Sequence, residues 1–496
     1  LARIDSTTVS AAAGDLAAAL RRAASLLAQT DLEHREIHLI SDAQRSAFPG
    51  DGPLAVDALP VLLFDGRPAA PPNLRALGWP LVGGGLPPLA AQRTDVVVDV
   101  RAWGEAAADT AGSPVRVFAG GRIRAVGAAR PGTQAVLGVG PFPAGPLTGW
   151  VETDADALAV DDRRYFALEV RPPPAVRITG PAPLFLQEAV DVLVDAGRMR
   201  RAEGAAAADV VFAVAGRGAP ATGAVIFVPA RDPALLPALN GALQRRGVGW
   251  RLEAAASAGA RTVSDAPGLP PSLADVRVVE AYRLVAPAGA GPESGRVLAR
   301  LDDGSPWVVA GLDEAGPWML LASPLDAGSS NLPVSAAMIP FVEWAAAGFR
   351  SDAGGAASLA AGEPLPTPPG ATAVRDPAGT VHAVDGTLGL VGTREAGIYE
   401  VLQGDRVVAV RAVNAPEQES DPAPVDAERL AARLAPAPLS VTADSARWAR
   451  TVFVARRGRE VWRVLVALAL VLLVAESLLA AAGREARGRD GDTADA

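Results

Sequence analysis

Residues 461–482, VWRVLVALALVLLVAESLLAAA, constrain this chain more than any other stretch. The run is almost wholly Leu, Val and Ala, and neither Gly nor Pro interrupts it. As a helix rising about 1.5 Å per residue it reaches roughly 33 Å. That length matches a hydrocarbon core of about 30 Å. A soluble core helix would show a polar stripe every three to four residues, and residues 464–475 show none. Trp462 stands at one end, where an amphipathic indole favours the headgroup region. The stretch therefore reads as a membrane-spanning helix over 461–483, with a short tail at 484–496. Everything before it is cargo tethered at one membrane face.

At 496 residues the chain is long enough for three or four domains. Gly 51 and Pro 43 suit small, turn-rich modules rather than one large barrel. All 46 basic residues are Arg, the net charge is −9, and no basic patch carries interleaved aromatics. Nucleic acid is thereby excluded as a partner. The absence of Cys excludes disulfides, thiolate metal sites and a cysteine nucleophile. It is compatible with either side of a membrane. The first residue is Leu1 rather than Met, and the expectation is a fragment whose targeting segment lies upstream.

The fold class expected is multidomain, α/β plus β-sandwich. In residues 1–70, Leu16, Ala19, Leu20, Ala23 and Leu27 repeat at helical spacing, and the runs REIHLIS and VLLF follow as buried strands. Asp42 falls just past a strand end, where open α/β sheets place ligands. This order, with LISDAQ, resembles the last half of a von Willebrand factor A domain. The resemblance puts Ser41 and Asp42 at the end of a metal-ion-dependent adhesion site for Mg or Ca. The family's first motif is expected upstream of Leu1. Two oxygen residues fall short of the six or so a hard divalent cation wants, so the alternative role for Asp42 is a turn or cap.

Residues 71–171 alternate in short runs broken by Gly and Pro, with Gly120-Gly121 as a two-residue turn. They read as an immunoglobulin-like β-sandwich. Asp161 and Asp162 form a carboxylate pair beside a turn, expected to be solvated. Residues 175–350 alternate strands and helices, with Gly197 and Gly247 as helix ends. This domain resembles the class I glutamine amidotransferase-like fold. It has neither Cys nor His, so the nucleophile and base of that family have no counterpart. Trp307, Trp318 and Trp344 are expected in its core. A linker at 351–370 and a second, small β-sandwich at 371–415 follow, then a juxtamembrane segment at 416–460. His34, His38 and His382 lack metal or catalytic spacing, and His382 has no visible partner. Glu417, Glu419 and Asp421 read as a solvated acidic loop capping a helix.

Taken together, LISDAQRSAF, DALAVDDRRYFALEV, the SPLD…NLP…F element, AVNAPEQESD and RRGREVWRVLVALALVLLVAESLLA resemble one bacterial family. It comprises membrane proteins with an aerotolerance-regulator (BatA-type) N-terminal domain. The resemblance implies two further N-terminal membrane helices, von Willebrand A membrane proteins as partners, and a MoxR-type AAA ATPase. It also implies a plasma-membrane location with the bulk on the exported face. Arg447, Arg450, Arg456, Arg457, Arg459 and Arg463 before the span argue the other way, because positive residues favour the cytoplasm. Orientation is often fixed by a first helix, and the exported side is the expectation carried forward.

Glu476, inside the span, is expected either to contact a partner helix or to lie near enough to the interface to be tolerated. Functionally the sequence points to a non-enzymatic membrane-anchored scaffold without cofactors. Three alternatives stand beside it. One is metal-dependent adhesion at Asp42, and another is a hydrolase. The third is a ligand-binding receptor lined by Ser323, Asp326 and Asn331.

Overall fold

The computed structural model describes residues 9–32, 34–67, 74–108, 111–204, 208–254, 259–287, 289, 294–347, 358–384, 389–390, 392–457 and 461–489. The expected Arg459, the start of the linker at 351–357 and the end of the tail at 490–496 lie outside the described residues. The chain is mixed α/β, β-rich and built on several sheets. It forms two compact units, one drawn from residues 1–13 and 71–420, the other from 14–70 and 421–496.

The second unit is discontinuous. Strand Val61–Asp65 lies in the middle of a three-stranded sheet, between Ile37–Ser41 and Leu439–Thr442. Both neighbours run parallel to it, with Ile37 opposite Val61 and Val61 opposite Leu439. On one face Ile37, Leu39, Val61 and Leu63 meet Leu20 and Ala24 of helix Leu16–Ala28 and Leu430 and Leu434 of helix Ala427–Leu434. Trp448, on helix Ser445–Arg457, makes edge contacts with His38 and Phe64 on the other. Two expectations change here. The segment 416–460 is not merely juxtamembrane, because residues 427–442 supply a helix and a strand to the sheet. Residues 9–13 do not belong with 14–70. Ala11 N–H donates to the Arg394 carbonyl (2.7 Å), and Ala11 and Ala12 pack in the other unit.

Beside a two-stranded ribbon of Arg251–Glu253 and Arg283–Val285, the described residues of the first unit form three larger sheet systems. The sandwich has a four-stranded sheet ordered Arg163–Val170, Gly145–Glu152, Ser113–Ala119, Arg122–Ala129. Its second sheet centres on Thr94–Trp103, paired with Leu74–Leu77, Leu81–Val82 and Thr133–Val139. Val96, Val98 and Val100 alternate inward from one sheet, Val115, Val117, Val151 and Phe166 from the other, as period-2 strands with one buried face require. Gly120 and Gly121 both take positive φ (58° and 73°) and close the expected two-residue turn. At Gly149 a Cβ would lie 2.2 Å from the Phe118 carbonyl oxygen, so only glycine lets the strands close there.

The next system is a nine-stranded mixed sheet. Its parallel half runs Arg200–Arg201, Ala175–Thr179, Val210–Val214, Ala224–Val228, Gly316–Leu321. Antiparallel strands Pro306–Asp313, Arg296–Leu301, Arg261–Asp265 and Arg277–Val278 complete it. Val210–Val214 and Ala224–Val228 are buried throughout, as central parallel strands must be. Helices Leu184–Asp195, Leu236–Arg245 and Met338–Ala347 pack on this core. Gly197 and Gly247, at positive φ, end the first two helices as expected. Behind them Arg198 and Val248 donate to Leu193 and Leu243 (2.8 and 3.0 Å).

The last system is one five-stranded sheet where a small sandwich was expected. Its order is Ser358–Ala360, Arg406–Asn414, Gly397–Gln403, Ala373–Arg375, Val381–Ala383. Its first strand lies within the expected linker 351–370. The strands are too few to fold into two faces, and the sheet instead meets the large sandwich through Asn414.

Candidate functional site

Ser41 and Asp42 lie where the strand order placed them, at the carboxyl end of the parallel sheet. Their chemistry is local. The Ser41 hydroxyl accepts from Ala43 N–H (3.0 Å) and donates weakly to Asp42 (3.4 Å). Asp65, the register partner of Ser41, is clasped by the Arg67 guanidinium at 2.5 Å. That guanidinium holds the Asp65 carboxyl below the usual carboxylate range, and its own charge also faces Asp42. A cation already stands beside these oxygens, which favours the turn role for Asp42 in the described chain.

The remaining expected candidates resolve into structure. Ser323, fully buried, accepts from Trp307 Nε1 (2.7 Å). Asp326 folds its own loop by accepting from Gly328 and Ser329 N–H. Asn331 accepts from Arg277 N–H (2.7 Å) and donates toward Asp275. Each of the three is engaged in its own hydrogen bonds. Trp307 and Trp344 flank Phe341 in offset stacks, and Trp318 is buried over Gly311, so the tryptophans are core. His382 does have a partner, Asp376 at 2.8 Å, and His38 pairs with Glu36 at 2.7 Å. In the acidic run, Glu417 accepts from Trp79 N–H and pairs with Arg101 (both 2.7 Å). The cap of helix Ala427–Leu434 is Asp426 instead.

The concentrated chemistry lies in the hairpin loop 153–162, between the paired strands Gly145–Glu152 and Arg163–Val170. Thr153 N–H donates to the Asp162 carbonyl (2.9 Å), closing the loop at its base. Asp156 accepts from Leu158 N–H (2.8 Å) and from Arg75 N–H (2.5 Å), which ties the loop to strand Leu74–Leu77. Carboxylate oxygens of Asp156, Asp161 and Asp162 then converge within 4.8 Å of one another. Asp161 is 1% exposed and Asp162 8%. The solvated pair expected from the sequence is thus a buried one. The turn beside it is roofed by the opposite sheet.

Burial pushes both carboxyls up to about 6. The nearby Ser420 hydroxyl and Arg164 guanidinium oppose the shift at Asp161, and the other acids reinforce it. Arg164 is fully buried, and burial lowers its affinity for a proton. Its donors go to the Leu77 carbonyl (2.7 Å), the Ala415 carbonyl (2.5 Å) and Ser420 Oγ (3.1 Å). Asp156, Thr153 and Arg164 were not singled out from the sequence. The spacing Asp-x₄-Asp-Asp was visible there, but not its burial.

In the nine-stranded sheet the strand Val210–Val214 runs into Ala215 at φ 53°, a left-handed turn that a non-glycine residue seldom adopts. Gly216 follows in tight contact, where a Cβ would meet Leu239 Cα at 2.8 Å. The residue on this elbow carries a methyl group, which supplies neither nucleophile nor base.

Helix Trp462–Arg489 covers the expected span 461–483 from its second residue on, and Trp462–Leu479 is long and apolar enough to cross a membrane with none of it buried in protein. The Arg463 guanidinium sits over the Trp462 ring (5.6 Å). Glu476 lies three residues inside the end of that stretch, roughly 5 Å along the axis.

No family model matches the chain, and no curated protein matches it. Among solved structures, it is similar to a CARDB domain from Pyrococcus furiosus determined in complex with di-metal ions. That match covers 21% of this chain and 93% of the domain, at 13% identity and a TM-score of 0.18. An exo-β-1,4-mannosidase from Opitutaceae bacterium strain TAV5 matches over 31% of each chain (12% identity, TM-score 0.22). A Ruminococcus gnavus β-glucuronidase matches over 28% of this chain and 25% of its own (13% identity, TM-score 0.14). At these scores the likenesses carry no argument about fold or activity.

Proposed function

We propose that this chain is a membrane-anchored scaffold of the aerotolerance-regulator type, whose modules bind other proteins and break no bonds. The observation that carries the proposal is the apolar helix Trp462–Leu479, bare of protein contact and long enough to span. The parallel order Ile37–Ser41, Val61–Asp65, Leu439–Thr442 fits a von Willebrand A-like half-domain, with residues 71–420 inserted in sequence between its strands. The parallel half of the nine-stranded sheet fits the amidotransferase-like assignment. Ala215 on its elbow supports a module without turnover, because a methyl group cannot attack a carbonyl.

In this reading the bulk lies on the exported face of a bacterial plasma membrane. The partners are other von Willebrand A membrane proteins and a MoxR-type AAA ATPase. Trp462 and Arg463 anchor one interface, and Glu476 meets a partner helix. A chain without cysteine makes the test direct. Ser264→Cys, on an exposed strand position, should react with an impermeant maleimide in intact spheroplasts. Reaction only after lysis would place the bulk in the cytoplasm. The full chain purified in mild detergent should carry those partners, and Glu476→Leu should insert normally but lose them. Their absence from the wild-type preparation, with turnover of a substrate by the same material, would contradict the scaffold.

A further inference from the structure

Loop 153–162 gathers more buried negative charge than its surroundings balance. An ionised carboxylate taken out of water needs a partner, a hydrogen-bond set or a metal. Asp156 has its set, in the Arg75 and Leu158 N–H groups. Asp162 uses one oxygen to accept from Asp156 N–H (3.3 Å), and its other oxygen has no partner. Asp161 is 1% exposed, and neither of its oxygens meets a partner in good hydrogen-bond geometry; the nearby Ser420 hydroxyl and Arg164 guanidinium offset its charge in part, and one oxygen lies within 4.8 Å of the other two acids. The buried hydroxyl of Thr153, at the base of the same loop, is also without a partner. Arg164 does not resolve the excess. Its three hydrogen bonds go to two carbonyls and a serine, and Asp154 adds a further negative charge near Asp162 while pairing with Arg116.

We propose that Asp156, Asp161 and Asp162 hold a divalent cation of the calcium class, which clamps the hairpin loop 153–162 to strand Leu74–Leu77. The donor set is all oxygen, as a hard cation requires, and has neither the imidazole nor the thiolate that zinc or copper selects. Calcium fits better than magnesium because an irregular loop with carboxylates of unequal burial suits its flexible coordination, whereas magnesium demands near-ideal octahedra. The site is separate from Ser41 and Asp42 and does not depend on the anchoring proposed above. Its output is mechanical: Asp161 precedes Arg164 by three residues, and Arg164 holds Ala415 and Ser420 beyond the sandwich. Filling the loop therefore stiffens the connection between the sandwich and the five-stranded sheet.

The test uses the full chain in detergent, stripped with chelator and titrated calorimetrically with calcium chloride. One calcium per chain should bind, with a rise in the unfolding midpoint. Asp161→Asn and Asp162→Asn should weaken binding by more than about tenfold, the scale on which metal sites respond to loss of a supporting group. Asp42→Asn should leave it unchanged. Asparagine is nearly isosteric and removes a buried charge, so the variants should fold; should one fail, Asp156→Asn reads the same site from its half-buried side. No binding up to about 10 mM calcium, beyond the range of extracellular calcium modules, would overturn the proposal. So would undiminished binding in both Asp161→Asn and Asp162→Asn. Magnesium binding tighter than calcium would overturn the calcium assignment.

Discussion

The side chain of Asn414 pairs with the backbone of Tyr165 as another strand would. Its carbonyl oxygen accepts from Tyr165 N–H (2.6 Å), and its amide donates to the Tyr165 carbonyl (2.9 Å). Asn414 is fully buried and ends the longest strand of the five-stranded sheet, while Tyr165 lies on the sandwich's edge strand. One side chain thus satisfies two backbone groups that no ladder reaches. Asn414→Leu should leave both orphaned at a cost of roughly 3 kcal/mol, since each buried unsatisfied group costs about 1–3 kcal/mol. Denaturant unfolding of the full chain in detergent checks this. A loss near zero would show that the pairing is incidental.

Arg164 and Asp161 form the second test. Arg164→Met removes a fully buried guanidinium with three acceptors and leaves the Asp161 charge without its nearest counterweight. The two carbonyls and the hydroxyl left without their donor cost about 1–3 kcal/mol each, so the loss should be roughly 3 kcal/mol or more. Adding Asp161→Asn should recover part of that loss, because the stranded charge goes with it. A double-mutant cycle measures the coupling. Strict additivity would mean the two groups do not sense each other.

The pH dependence follows from the same burial. Asp161 and Asp162 titrate near 6 when folded, above the ordinary carboxylate value they have when unfolded. Between those values the folded chain binds more protons than the unfolded one, so stability falls as pH rises and the penalty is complete above about 6. With chelator present, lowering pH from about 7 to about 5 should therefore raise the unfolding midpoint. Asp161→Asn combined with Asp162→Asn should flatten that rise. A midpoint that falls steadily over this range in wild type, with no difference in the double variant, would contradict the burial of these groups.

Asp42 supplies the contrast. It is exposed at a strand end, faces Arg67, and shares only a weak contact with Ser41. Asp42→Asn should change stability by no more than about 0.5 kcal/mol, as surface substitutions do. A larger loss in thermal unfolding would show that Asp42 holds structure beyond its own turn.

Local pattern made some of this legible and distance hid the rest. The alternation of Val96, Val98 and Val100, the Gly120-Gly121 turn and the glycine helix ends at 197 and 247 are all written within a few residues, and each stands as read. Leu439–Thr442 is different. Four residues, none of them fully buried, say nothing of a partner strand at 61–65, so the split of the α/β unit was invisible. Asp161 and Asp162 show the same limit at the level of the site. A carboxylate pair next to a turn looks solvated until the opposite sheet, through Arg75 and Leu77, is placed over it. Arg164 and Asn414 gave no signal, because their partners lie some 250 positions away in sequence. His382 looked partnerless for a nearer reason: Asp376 reaches it only once the hairpin between them closes.

The central claim is that helix Trp462–Leu479 holds this chain in a membrane, and alkaline extraction of cell membranes tests it most directly. The full chain should stay with the membrane pellet and leave it only in detergent, whereas a chain ending at residue 457 should appear in the supernatant. Full-length protein released to the aqueous phase without detergent would contradict the account.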